Sequence, residues 1–158
     1  MSATVIDGKA VAAEVRERVA AEVAQLSADI GRPPGLATVL VGDDPASAIY
    51  VRNKRASSEE AGIRSIHHEP SGDISQEDLL VLLGELNDSD EVDGILVQLP
   101  LPGHIDADAV INHLDPAKDV DGLTPTSAGL LARGEPGLVP CTPRGVMELL
   151  AHAGVDPS

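Results

Sequence analysis

Three stretches of this 158-residue sequence carry side chains that could do proton chemistry on a small ligand. In ASAIYVRNKRA (46–56), Ser47, Tyr50 and Lys54 stand at i, i+3 and i+7. A helix there would present a hydroxyl, an aromatic plate and an ammonium on one face. A lysine held against apolar walls or beside other cations has its charged form disfavoured, and then accepts and donates protons near neutral pH. In DGILVQLPLPG (93–103) the amide of Gln98 interrupts an apolar run. Such an amide can bond either protonation state of a lysine, so it would suit the task of orienting one. In DPAKDVDGLTP (115–125), Asp115, Asp119 and Asp121 share a loop, but their spacing departs from the calcium-loop pattern, and no metal is expected. Asp121, just ahead of Gly122, is the candidate acceptor for a ligand's amide and amino groups. The first two stretches also have a plainer reading: a helix face with an ordinary exposed lysine, and a glutamine satisfied by loop backbone.

The elements that must position these groups follow from periodicity. Val11, Val15, Val19, Val23 and Leu26 predict an amphipathic helix over 9–28, ended near Gly31. GLATVLVG (35–42) is an apolar run of strand length, DDPAS opens a helix reaching about Ala61, and 63–69 is a weaker strand. Ser75 caps a helix over 75–87, with Asp78 three residues on. The strand over 91–99 ends at Pro100 and Pro102, which stop the ladder and leave Gln98 at the carboxyl-end mouth of a sheet, where open α/β folds bind ligands. Short helices near 106–113 and 124–133, then one with Pro143 in its first turn, complete the chain. The alternation predicts one α/β domain spanning 1–158: three layers, a mostly parallel sheet and crossover helices.

Bulk properties narrow the function. Net charge is −15, against a nucleic-acid backbone as main partner, although Arg52, Lys54 and Arg55 form a local basic cluster. No apolar run approaches a membrane span and no basic-then-apolar leader opens the chain, so a cytoplasmic protein without membrane contact is expected. The lone Cys141 fits a reducing compartment and reads as a small wall residue rather than a nucleophile. Tyr50 is the sole aromatic residue, and Lys9, Lys54 and Lys118 are the only lysines.

GDDPASAIYVRNKR, DGILVQLPLPGHID, HLDPAKDVDGLTP and PCTPRGV occur in this order, and together they resemble the bifunctional methylenetetrahydrofolate dehydrogenase/methenyltetrahydrofolate cyclohydrolase family, from about residue 4 onward. The resemblance implies a folate substrate, NADP+ as hydride acceptor and a homodimer. It implies Lys54 as acid/base of the hydrolytic step, with Gln98 bonded to it. Tyr50 would pack on the folate rings, with Ser47 nearby, and Asp121 would anchor the pterin. Val97, Leu99, Pro100 and Pro140 would line the pocket. It also implies a second, dinucleotide-binding domain, and a C-terminal segment that returns to cover part of this one. No G-x-G-x-x-G turn is present, so these 158 residues are expected neither to bind NADP+ nor to oxidise methylenetetrahydrofolate. Two other readings stand beside it: a non-catalytic folate-binding or dimerisation fragment, and a receiver-like signalling domain. The receiver's phosphoacceptor aspartate would fall at Gln98, whose amide cannot form an acyl phosphate.

Overall fold

The computed structural model describes residues 5–157. In chain order the elements are α1 (Gly8–Ile30), β1 (Gly35–Val39), α2 (Pro45–Glu60), β2 (Arg64–His68), α3 (Gln76–Asp88), β3 (Gly94–Val97), α4 (Ala107–His113), α5 (Pro125–Arg133) and α6 (Cys141–His152). Capping chemistry sets most of these limits. Asp7, Asp44, Ser75, Asp106 and Thr124 accept backbone N–H bonds at the starts of α1 to α5, and Gly31 closes α1 in the left-handed region. Pro45 and Pro125 occupy first-turn positions, where no N–H is missed.

The three strands form a parallel sheet in the order β2-β1-β3. The chain steps outward from β1 to β2 through α2, then back past β1 to β3 through α3. With right-handed crossovers, that reversal sends α2 and α3 to opposite faces. On the α3–α4 side lies the core: Ala37, Val39, Ile95 and Val97 pack with Leu79, Leu83, Leu86 and Val110. β1 and β3 are shorter than their apolar runs predict. β1 ends at Val39, although Leu40 still donates to the His68 carbonyl (3.0 Å). β3 ends at Val97, with Gln98 N–H giving its last ladder bond to Val39 O (2.9 Å) before the cis Leu99–Pro100 peptide.

Two sets of polar contacts tie the loops to this frame. At the amino ends of the strands Asp93 takes both Arg32 nitrogens (2.6 and 2.9 Å) and the Gly35 N–H (2.7 Å). Lys118 Nζ donates to the carbonyls of Leu86, Asn87 and Ser89 (3.3, 2.6 and 2.9 Å), where its charge meets the negative end of α3. The loop after α4 is thereby laid along β3: Ile95 N–H donates to Lys118 O (2.7 Å), and Ile95 bridges to Asp119. Gly94 allows this approach, since a Cβ there would strike the Val120 side chain. α6 contributes no buried residue; it meets α1 through Arg18–Glu148 (3.0 Å), while Val146 and Met147 stay about half exposed.

Candidate functional site

α2 packs most closely on β2, at one edge of the sheet. On that face Leu36 of β1 and Leu96 of β3 are left to floor an open cleft of about 1010 Å³. Its walls are α2, through Tyr50, Asn53 and Lys54, and the 120–123 segment with the start of α6, through Val120, Asp121, Pro140 and Cys141. The volume is at the upper end for a small-molecule site. The cleft also reaches Gly35 and Gly94, at the amino ends of their strands. The cleft thus lies over the sheet face and is not confined to the carboxyl ends of the strands.

Of the residues singled out from the sequence, Tyr50, Lys54, Asp121 and Pro140 line this cleft. Tyr50 is 64% exposed, so its ring is available to a ligand. Lys54 is half-buried, and its Nζ bonds to no described residue. The others are placed differently. Ser47 is buried and its hydroxyl pairs with Asp44, whose carboxylate also caps α2 through Ser47 N–H (2.8 Å); helix capping draws it away from the ligand side. Val97 belongs to the core on the opposite sheet face, because strand side chains alternate and Leu96 takes the cleft side. Leu99 and Pro100 are exposed outside the lining.

Gln98 follows Gly94 and Leu96 in the alternation toward the cleft side, yet it makes no hydrogen bond to Lys54. Its Nε2 donates to the Leu99 carbonyl (2.7 Å), and its Oε1 is buried without a partner. A buried acceptor left unpaired costs about 1–3 kcal/mol, so this oxygen is poised for a donor.

Asp119 is the residue that sequence reasoning passed over in favour of its neighbour. It is 1% exposed, with Oδ1 accepting Leu123 N–H (3.1 Å) and Oδ2 accepting Thr124 N–H (2.8 Å) and Ser127 Oγ–H (2.8 Å). The available signal was an aspartate five residues before a Thr-Pro helix start, where two backbone N–H groups need an acceptor. Burial alone would raise its pKa; the donors from Thr124, Leu123 and Ser127 outweigh this and hold the carboxyl below its ordinary value. A carboxyl lowered on folding stabilises the protein above its unfolded pKa, and that contribution is lost as pH falls through the folded one. Thermal melts taken from about pH 7 down to about pH 3 should therefore show a steep acid loss of Tm that Asp119→Asn flattens. Equal slopes in the two proteins would contradict this.

Cys141 sits on the cleft wall with Sγ 3.5 Å from Val120 O. Burial and the nearby Asp121 carboxylate push its thiol pKa up, with Lys54 and Arg144 opposing, which suits a wall residue and not a nucleophile. Among the described residues no cluster of three or more His, Cys, Asp or Glu could hold a metal, and no helix is long and apolar enough to cross a membrane. Among the described residues no strand-to-helix turn offers a cradle for a dinucleotide's pyrophosphate. The three helices that follow strands start at Asp44, Ser75 and Asp106, whose side-chain oxygens already take the N-terminal N–H groups. Gly42, in the first of these turns, is followed by Asp43 and Asp44, which would repel phosphate.

The parallel sheet with flanking helices and the cleft lined by Tyr50, Lys54 and Asp121 define an α/β domain with a small-molecule-sized site on one sheet face. The family model described as tetrahydrofolate dehydrogenase/cyclohydrolase, catalytic domain, matches residues 6–121, and the chain belongs to that family. A "Bifunctional protein FolD" of Rhodopseudomonas palustris (strain HaA2) is 54% identical over 158 residues, covering 99% of this chain and 54% of the relative. The bifunctional FolD methylenetetrahydrofolate dehydrogenase/cyclohydrolase of Campylobacter jejuni superposes with a TM-score of 0.93 at 44% identity, over 97% of this chain and 54% of that one. The Trypanosoma brucei N5,N10-methylenetetrahydrofolate dehydrogenase-cyclohydrolase, solved with NADP cofactor and inhibitor, gives 0.92 at 41%, over 98% and 54%. The chain thus spans about half the length of the relatives it matches.

Proposed function

We propose that this chain supplies the folate site of a methylenetetrahydrofolate dehydrogenase/methenyltetrahydrofolate cyclohydrolase, and that Lys54 is the acid/base of the hydrolytic step. The reading is carried by the convergence of Tyr50, Lys54 and Asp121 on one cleft. Tyr50 offers its exposed ring to the stacked body of the folate. The Asp121 carboxylate accepts two hydrogen bonds from the pterin's amide and amino edge, which fixes the one-carbon bridge relative to Lys54. Lys54 Nζ takes a proton from water as the water oxygen adds to the cationic methenyl carbon. The resulting ammonium then protonates N5 as the C–N5 bond breaks. The remaining hydroxyl proton goes to solvent, and the formyl group stays on N10. Gln98, whose unpaired Oε1 needs a donor, accepts from the ammonium form after a rotamer change and holds it toward the bridge.

For the oxidative step NADP+ is the acceptor this reading requires. The described residues do not fit its pyrophosphate. The test uses Tyr50 as sole aromatic reporter: titrating tetrahydrofolate into the purified chain should quench its fluorescence and release calorimetric heat with one shared dissociation constant. The absence of both signals at saturating tetrahydrofolate would overturn the proposal.

A further inference from the structure

The loop bearing Asp121 is held by a second carboxylate that does not reach the cleft. Asp119 is buried, bridged to Ile95 of β3, and bonded to Leu123 N–H, Thr124 N–H and the Ser127 hydroxyl. Between these anchors only Val120, Asp121 and Gly122 remain, and the Asp119 carbonyl accepts Gly122 N–H (3.1 Å). On the far side the start of α5 is closed by Thr124 Oγ accepting Ser127 N–H (3.2 Å). The segment therefore runs from a pinned residue to a capped helix, with Asp121 at its apex on the cleft wall. We propose that Asp119 is the positioning residue for Asp121, setting its carboxylate against the ligand's amide edge through the Leu123–Thr124–Ser127 knot. The ligand's identity rests on the folate-site reading above; the positioning itself does not.

Two readouts separate these claims. Asp119→Asn is isosteric, but either orientation of its amide sets an NH₂ against a backbone N–H that the carboxylate accepts, so the knot loosens. The first readout is Cys141, the sole cysteine, whose reaction rate with iodoacetamide across pH reports its thiol pKa. Asp121→Asn should lower that pKa by removing a negative neighbour. Asp119→Asn should lower it too, and the double variant should go no lower than Asp121→Asn alone, because Asp119 acts only through Asp121. A thiol pKa unmoved in Asp119→Asn, or an additive double variant, overturns the proposal. Should Asp119→Asn fail to fold, Ser127→Ala keeps the carboxylate and loses one donor, and the same outcomes decide with a smaller shift. The second readout is tetrahydrofolate affinity by calorimetry, expected to fall about tenfold in Asp119→Asn, again without adding to Asp121→Asn. Wild-type protein that gives no heat while the thiol shifts as described would sink the folate reading and leave the positioning role standing. Wild-type binding that Asp119→Asn preserves in full would sink the positioning role alone.

Discussion

If Lys54 is the acid/base proposed, Lys54→Met should lower the rate of methenyl-bridge hydrolysis by about 10²–10⁴-fold, the contribution typical of a positioned acid/base group. That corresponds to about 3–5 kcal/mol of transition-state stabilisation. Methionine keeps an unbranched apolar stem of similar length, so the wall of the cleft is preserved and only the titrating nitrogen is lost. Tyr50 and Asp121, the proposed folate contacts on the same cleft, are untouched, so folate binding should change little. A second substitution separates proton transfer from charge. Lys54→Arg retains a cation but cannot release its proton near neutral pH, so it should be nearly as slow as Lys54→Met. If Lys54 only attracts the ligand electrostatically, the arginine variant will keep its rate and the methionine variant will lose affinity. Stopped-flow decay of methenyltetrahydrofolate absorbance, beside calorimetric titration of each variant, distinguishes these patterns. Normal turnover in folded Lys54→Met would remove the residue from the mechanism.

The second large effect belongs to Gly122→Ala. Gly122 has φ +63°, and a Cβ there would lie 2.8 Å from Pro140 N, 2.9 Å from Val139 C and 3.0 Å from Pro140 Cδ. Two of those three atoms are backbone and cannot swing aside. The left-handed conformation costs a non-glycine residue about 1–2 kcal/mol, and forcing a methyl into packed surroundings adds about 1–3 kcal/mol. A loss of about 2–5 kcal/mol follows, or about 5–15 °C in Tm for a chain of this length. Relief would push apart Asp121 and Pro140, which share one wall of the cleft, so folate affinity should fall with stability. Gly129→Ala is the control: it lies inside α5 with nothing within 4 Å of its Cβ position. There the same substitution should be neutral or stabilise by up to about 1 kcal/mol. Similar melting temperatures for the two variants would show that the contact at Pro140 is not a real constraint.

Much of this was legible before any coordinates. Capping residues and apolar periodicity placed the helices and strands within a few residues, because these signals are local and act within one turn. Tyr50 and Lys54 were joined by helical spacing alone. Asp121 needed only its loop and the glycine behind it to stand out as an accessible carboxylate.

Other features depended on which surfaces meet. Alternation says that Leu96 and Val97 face opposite ways, but not which face receives α3 and α4 and which is left open as a cleft. Ser47 shares a helix face with Tyr50 and Lys54 by spacing, yet lies in the first turn, where its hydroxyl and N–H serve the Asp44 cap. Asp119 and Asp121 are chemically identical and two residues apart. One is buried in a knot of donors and the other lines the cleft, because the loop is drawn against β3 by Ile95 and Lys118. By itself the sequence determined the order of elements, their caps and the chemical types available to a site. Tertiary structure decided which of those groups share a cavity, since burial and hydrogen-bond partners are set by segments distant in the chain.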